Sequence, residues 1–308
     1  MSQASPELEV AGQTSSPRQP MSRIVRCPLC SSPDLRQTFN LGHYAIARCL
    51  SCSFEFNASF IAGCNESGTF SQAYFIEKHA DAFVPALEDF RKDESFKVYQ
   101  TRLEQLEAQI APGRVLDVGP GVGTFMRLAR ERGWEPHGVE LSPFAANRIK
   151  QIHGLDVFTG DLQDYEGEAG SFDLVTFWDS IEHVVSPRQN LEKASRLLRQ
   201  GGLLLLTTDN FDCLVAGLAK GLYRCSFGLV KYPVRRVFID ENMAYFTETS
   251  LRQLVMEAGF QECLFEKMEY PINKIRLNLL ERLALSVIYG LAALTNRQAQ
   301  MTLLAKKC

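Results

Sequence analysis

Six acidic or imidazole side chains, a glycine loop and two cysteine pairs carry the chemistry legible in this chain. The stretch VLDVGPGVGTFM, Val115 to Met126, sets Asp117 two residues ahead of three alternating glycines, Gly119, Gly121 and Gly123. Glycine here lets the chain turn tightly and lets a ligand approach the main chain, since a Cβ would obstruct both. The dinucleotide fingerprint G-x-G-x-x-G would place its third glycine at position 124, where this chain has Thr124. An acid just before the loop also sits poorly beside a pyrophosphate and suits an ammonium group. The next two strand-like runs end near Glu140, placed to accept both hydroxyls of a ribose, and Asp161, placed to receive the exocyclic amine of an adenine. An amino group, a ribose and an adenine without phosphate describe S-adenosyl-L-methionine.

A second constellation is WDSIEHV, Trp178 to Val184, after a fourth strand-like run, where open parallel sheets place their ligands. A helical turn there would put Asp179, Glu182 and His183 at i, i+3 and i+4 on one face. Three readings stand open. His183 acts as a general base; or it joins both acids around a hard cation such as Mg2+ that polarises an acceptor hydroxyl. In the third, Glu182 pairs locally and His183 lines the pocket without titrating.

The third signal is metal-ligand spacing. CPLC (Cys27, Cys30) and CLSC (Cys49, Cys52) are separated by 18 residues, within the range of a C-x2-C…C-x2-C zinc ribbon. A module this small does not fold without a staple, so a structural Zn2+ is expected, with paired disulfides as the alternative. Cys64, Cys213, Cys225, Cys263 and Cys308 lack partners at ligand spacing and read as ordinary thiols.

The elements that must position these groups follow from pattern. The chain has 308 residues, 45% of them hydrophobic and 22% charged, which fits a globular main domain with appendages. Its net charge of −3 excludes a global attraction to nucleic acid or anionic lipid. Residues 1–22 are Ser-, Pro- and Gln-rich and read as a disordered tail without the apolar core of a signal peptide, so a cytoplasmic location is expected. Residues 23–66 form the ribbon module, and 67–110, with Leu87, Phe90, Phe96, Leu103 and Leu106 at helical spacing, a helical linker or cap. From 111 to 308, apolar strands alternate with helices, which indicates an α/β parallel sheet covered on both faces. Inserts at 211–245 and 273–298 interrupt it.

With these residues in hand, VLDVGPGVGTF, GVELSP, GDLQDY and FDLVTFWDSIEHV together resemble the class I S-adenosylmethionine-dependent methyltransferases, over roughly Ala111 to Cys308. The resemblance implies a Rossmann-like seven-stranded sheet of order 3-2-1-4-5-7-6, with strand 7 antiparallel. It implies that Asp117 and the Gly119, Gly121 and Gly123 loop hold the methionine end, and Glu140 with Leu141 the ribose. It places Asp161 and the Leu162 amide at the adenine and includes Trp178 in the cofactor set. The D-x-x-E-H spacing resembles the Glu-x-x-Glu-His metal site of ubiquinone-pathway and small-RNA O-methyltransferases, with Asp179 where those have Glu. The ribbon, linker and core together resemble a bacterial zinc-ribbon subgroup that includes sugar C-methyltransferases, with Tyr74-Phe75 after the ribbon. This chain lacks the additional C-terminal domain of those sugar enzymes, and Asn242 or Met243 stands where a His is usual.

The implied function is methyl transfer to a hydroxyl or activated carbon of a small or lipid-linked acceptor. The rivals are a non-catalytic binding or scaffold protein of the same fold, an RNA-directed methyltransferase and an NAD-dependent oxidoreductase. The first would be marked by loss of Asp117, Glu140 or Asp161, the second needs a basic stripe, and Thr124 disfavours the third. Lys220, Arg224, Lys231, Arg235 and Arg236 in the first insert read as a solvated face, or as a lid over an anionic, partly apolar substrate. The apolar run 277–294 is shorter in its uninterrupted part than the ~20 residues needed to span a bilayer. A buried cap or dimer contact is expected there, ahead of an interfacial helix making peripheral membrane contact. No oligomeric state is legible.

Overall fold

The computed structural model describes residues 26–59, 70–78, 80–270 and 278–308. The expected tail and Cys64 lie outside them. Strands β1 (Leu35–Asn40), β2 (Ala45–Cys49) and β3 (Glu55–Asn57) form an antiparallel ribbon, followed by helices α1 (Ala80–Glu88) and α2 (Phe96–Glu107). The main domain then runs β4 (Arg114–Val118), α3 (Thr124–Glu131), β5 (Glu135–Glu140), α4 (Pro143–His153), β6 (Asp156–Thr159), β7 (Phe172–Trp178), α5 (Pro187–Leu197) and β8 (Leu198–Asp209). The first insert supplies α6 (Leu214–Cys225), α7 (Tyr232–Val237) and β9 (Ala244–Tyr245). The chain closes with α8 (Glu248–Glu257), β10 (Phe260–Met268), α9 (Leu279–Leu294) and β11 (Gln300–Lys307).

The large sheet has seven strands in the order β10-β11-β8-β7-β4-β5-β6, the expected 3-2-1-4-5-7-6 read from the other edge. β4 to β8 are parallel neighbours, and β11 runs antiparallel to both β8 and β10. Apolar runs make these strands because each buries both faces. Leu116, Val175, Leu204 and Leu206 enter one core, and the intervening Val115, Leu174, Leu203 and Leu205 enter another. Helix signals act where the sequence places them: Ser142 caps α4 ahead of Pro143, and Gly154 ends it at φ 60°. β8 starts at Leu198, earlier than the apolar LLLLTT run alone indicates, because Leu198 already pairs with Phe172.

A second sheet, β1-β2-β3-β9, joins the ribbon to the first insert, with Glu55 opposite Tyr245 and Phe56 opposite Ala244. Phe39, Leu41 and Ile46 of the ribbon share a core with Phe211, Val234, Phe238 and Tyr245. The Lys220 ammonium, 2.9 Å from Glu55, crosses the junction with both side chains largely buried. Three of the five basic residues of this insert are therefore engaged at the ribbon: Arg235 donates to the Leu41 carbonyl oxygen and Arg224 lies over the Phe39 ring.

The expectation of a buried cap at 277–294 is corrected. α9 is a regular helix with an Asn278–Glu281 capping box, yet only Ala292 is buried. Its neighbour α6 covers one narrow side, leaving Leu279, Leu280, Leu283, Val287, Leu291 and Leu294 exposed.

Candidate active site

The carboxyl ends of β4, β5, β6 and β7 open into a cavity of about 400 Å³. Gly119, Gly121 and Gly123 take φ of 76°, 58° and 82°, in the left-handed region open to residues without a Cβ. A Cβ on Gly119 would lie 2.8 Å from the Ser180 Cβ, so alanine there would force the loop away from the turn that follows β7. Gly119, Gly121, Asp117, Glu140, Leu141, Asp161, Leu162 and Trp178 line the cavity; Gly123 does not. Gly123 instead opens α3, where a Cβ would sit 2.9 Å from Ile149.

The first two acids are held in unlike ways. Asp117 is almost fully buried; its Oδ1 accepts a hydrogen bond from Thr176 Oγ1 at 2.8 Å, and its Oδ2 has no partner. Burial pushes its carboxyl up to about 7, the nearby Glu140 adds to this, and the Thr176 hydroxyl opposes it. Glu140 accepts from the Ser142 amide at 2.8 Å and the Gly121 amide at 3.1 Å. Burial still raises it to about 7 against those amides and that of Leu141. Asp161 accepts from the Gln163 amide at 2.8 Å, capping the short turn that carries Leu162. The Trp178 indole N–H is buried without a partner.

The opposite wall is aromatic. Phe70, Tyr74, Phe75, Phe83 and Tyr99 line it, and Tyr99 packs edge-on to Trp178 at 4.8 Å between ring centres. Burial holds the hydroxyls of Tyr74 and Tyr99 well above the usual phenol range. These rings come from the 67–110 segment, expected as a helical linker or cap and holding the Tyr74-Phe75 pair.

The one-face helix expected for Asp179, Glu182 and His183 does not form. The helical turn covers only Ile181–His183, and Asp179 precedes it at φ 46°. The Asp179 amide is held by the Thr207 carbonyl and hydroxyl oxygens, and the Ser180 hydroxyl donates to the Val118 carbonyl, so the chain kinks before it can coil. Asp179 and His183 line the cavity, whereas Glu182 points away from it and is 3% exposed. Burial first, then Asp179 and Asp209, drive its carboxyl well above the usual carboxylate range. Among the described residues the three do not gather at ligating distance; four cysteines alone do. Behind Asp179 stands a network that sequence reading misses. Gln300 donates to both Asp179 oxygens at 3.0 and 3.1 Å, and Tyr270 donates to Asp209 Oδ1 at 2.7 Å. Its members are scattered over three strand ends, and no local spacing signals them.

His183 is oriented from the ribbon side. Its Nδ1 is 3.2 Å from the Glu241 carbonyl oxygen, a geometry that places a proton on Nδ1 and leaves Nε2 as the acceptor nitrogen. One residue away, the Met243 amide donates to the Glu182 carbonyl at 2.8 Å, and the Asn57 amide of β3 donates to the Met243 carbonyl at 3.0 Å. In the ribbon, the Sγ atoms of Cys27, Cys30, Cys49 and Cys52 all lie within 4.8 Å of one another, with Cys27–Cys52 and Cys30–Cys49 each 3.6 Å apart. That donor set fits a tetrahedral thiolate site for zinc. The Leu29 amide, 3.4 Å from Cys27 Sγ, donates a hydrogen bond to the sulfur.

Comparison with known proteins agrees with this geometry. The chain is 34% identical over 118 residues to a ubiquinone biosynthesis O-methyltransferase of Xanthomonas oryzae pv. oryzae, covering 35% of this chain and 49% of that protein. It is 30% identical over 182 residues to a sarcosine/dimethylglycine N-methyltransferase of Halorhodospira halochloris, covering 56% and 61%. The chain thus spans about half the length of the first of these relatives. Among solved structures, a SAM-dependent methyltransferase from Thermotoga maritima superposes with a TM-score of 0.51 at 16% identity, over 77% of this chain and 100% of that one. A Pyrococcus horikoshii protein does so at 0.51 and 17%, over 75% and 99%, which speaks to the fold alone. The family model described as a methyltransferase domain matches residues 90–263, which include the whole glycine-loop side of the cavity, and the chain belongs to that family of S-adenosylmethionine-dependent methyltransferases.

Proposed function

We propose that the protein transfers a methyl group from S-adenosylmethionine to a hydroxyl, or an activated carbon, of a small or lipid-linked acceptor. The observation that carries this reading is one cavity whose walls divide the labour. Three carboxylates at successive strand ends stand on one side, and aromatic rings with His183 stand on the other.

The residues fit the donor. Asp117 Oδ2 is an unpartnered buried oxygen beside the loop, suited to an ammonium group, with the Gly119 backbone next to it. Glu140 would hold the ribose hydroxyls, beside Leu141, and Asp161 with the Leu162 amide the adenine amine. Bound there, S-adenosylmethionine supplies a methyl already activated on a sulfonium, so the protein needs alignment and exclusion of water more than covalent chemistry. The aromatic wall excludes water and packs against an apolar acceptor. His183, with Nδ1 committed to the Glu241 carbonyl, presents Nε2 to an acceptor hydroxyl and takes its proton as the methyl is transferred. The name of the Xanthomonas relative, an O-methyltransferase, supports a hydroxyl acceptor. Zinc on Cys27, Cys30, Cys49 and Cys52 would fix the ribbon, and the run from Asn57 through Met243 to Glu182 would pass that rigidity to the His183 turn.

The test is an assay with methyl-labelled donor against fractionated cell extract. Label moving into a low-molecular-weight or organic-extractable acceptor supports the reading. Label appearing only in RNA or protein fractions contradicts it.

A further inference from the structure

The two inserts build a surface that methyl transfer does not use. α9 carries Leu280, Leu283, Val287, Leu291 and Leu294 at spacings of three and four, a stripe running the length of a 16-residue helix, about 24 Å. Leu280 is 78% exposed and Leu294 85%. α6 packs beside α9, and Arg297 locks the pair by donating to the Asp212 and Cys213 carbonyls. α6 adds exposed Leu218 and Leu222, and its hairpin to α7 ends in Phe227, 96% exposed, with Leu229 at 85% and Tyr232 at 71%. Phe227 and Gly228 both hold positive φ, so the backbone displays the ring outward instead of tucking it in. A soluble monomer rarely leaves this much contiguous apolar surface uncovered.

Charge identifies the occupant. Between Asp212 and Asp240 the chain has no acidic residue and five basic ones, in a protein of net charge −3. Arg224 and Arg236, flanking the apolar tip, are exposed. Aromatic and aliphatic side chains rimmed by exposed cations match the interface of an anionic bilayer, where rings and leucines enter the acyl boundary and cations meet phosphates. No helix among the described residues is long and apolar enough to cross a membrane, so the contact is interfacial. Topology adds direction. β8 ends at Asp209, β10 ends at Met268 and β11 begins at Gln300, all at the sheet edge that carries the cavity, and α6 and α9 leave from those points.

We infer that α9 and the α6–α7 hairpin dock the protein on an anionic lipid surface, with the cavity edge of the sheet on the same side. The inference goes beyond methyl transfer and does not need it. The test is sedimentation of the full zinc-loaded chain with vesicles of phosphatidylcholine alone and of phosphatidylcholine mixed with phosphatidylglycerol. The expected result is pelleting with the mixed vesicles that salt weakens. The double variant Val287→Asp/Leu291→Asp, on exposed positions, should lose about a hundredfold in vesicle affinity, and Phe227→Ser/Leu229→Ser about tenfold. S-adenosylhomocysteine binding, measured on the same variants by calorimetry, should be unchanged, which separates failure of docking from failure of the methyltransferase reading. Protein left in the supernatant with both vesicle types would overturn the inference. So would a homodimer in solution that Val287→Asp/Leu291→Asp dissociates, since a second copy would then be the occupant.

Discussion

The two walls of the cavity are built by opposite strategies. On the donor side, Asp117, Glu140 and Asp161 come from three consecutive strand–loop units between residues 114 and 162; Glu140 and Asp161 are held by amides two residues on, and Asp117 by the Thr176 hydroxyl of the adjacent β7. On the acceptor side, Tyr74 and Tyr99 arrive from the linker and His183 from beyond β7, where the Glu241 carbonyl of the first insert holds it and Gln300 of the last strand holds the neighbouring Asp179. A local wall holds a ligand whose shape never changes. A wall assembled from distant segments can be altered by changing an insert without disturbing the sheet. This difference yields tests that separate the halves.

The largest effect is expected from the metal. Structural zinc in small modules contributes roughly 10–16 kcal/mol, so Cys49→Ser or chelation should melt the ribbon. The β3–β9 pairing and the Met243–Glu182 bond would go with it. Acceptor turnover should be lost and amide exchange in 241–245 should accelerate, while S-adenosylhomocysteine affinity stays within about tenfold of the parent. Equal collapse of donor binding, read by calorimetry, would show that the two walls are one unit.

Next comes His183→Gln. A general base contributes about 10²–10⁴-fold. The variant should lose that much in kcat with donor affinity unaltered. Unchanged kcat would assign His183 to packing against Phe70, its edge-on neighbour at 5.4 Å.

Smaller effects belong to the donor wall. Hydrogen bonds to charged groups contribute about 1.5–3 kcal/mol, so Asp117→Asn or Glu140→Gln should weaken S-adenosylhomocysteine roughly 10–100-fold. The acceptor KM should move little. The same acids set a pH signature. Asp117 and Glu140 are both raised to about 7 from ordinary values of 3.8 and 4.5. Their contribution to the stability of the ligand-free protein is therefore full below 3.8 and is lost as pH rises through about 7. A bound cation reverses the preference by favouring the ionised forms. Thermal melts should thus show ligand stabilisation growing as pH rises through 7; a stabilisation that shrinks over that range would contradict the assigned charges.

Legibility followed the same division. The glycine loop, the strand-end acids and the four thiols announce themselves because each depends on residues a few positions apart, where spacing and backbone conformation decide the outcome. The sheet order came through the family resemblance to those motifs, and β11 does run antiparallel between β8 and β10. Two readings failed where long-range contacts decide. The Asp179 turn obeys the Thr207 and Val118 carbonyls on neighbouring strands instead of local helical spacing. The apolar run of α9 signals burial by composition, but the neighbouring α6 covers only a narrow side of it, and the stripe stays outside. The junction of ribbon and insert, nearly 200 residues apart in sequence at Tyr44 and Phe238, carries no local pattern at all.

The central claim is that the donor wall accepts a phosphate-free adenosyl cation and not a dinucleotide. Isothermal titration of the zinc-loaded chain with S-adenosylhomocysteine and, separately, with NADH addresses it directly. The account predicts saturable heat for the first, weakened by Glu140→Gln, and none for the second; heat for NADH with none for S-adenosylhomocysteine would contradict it.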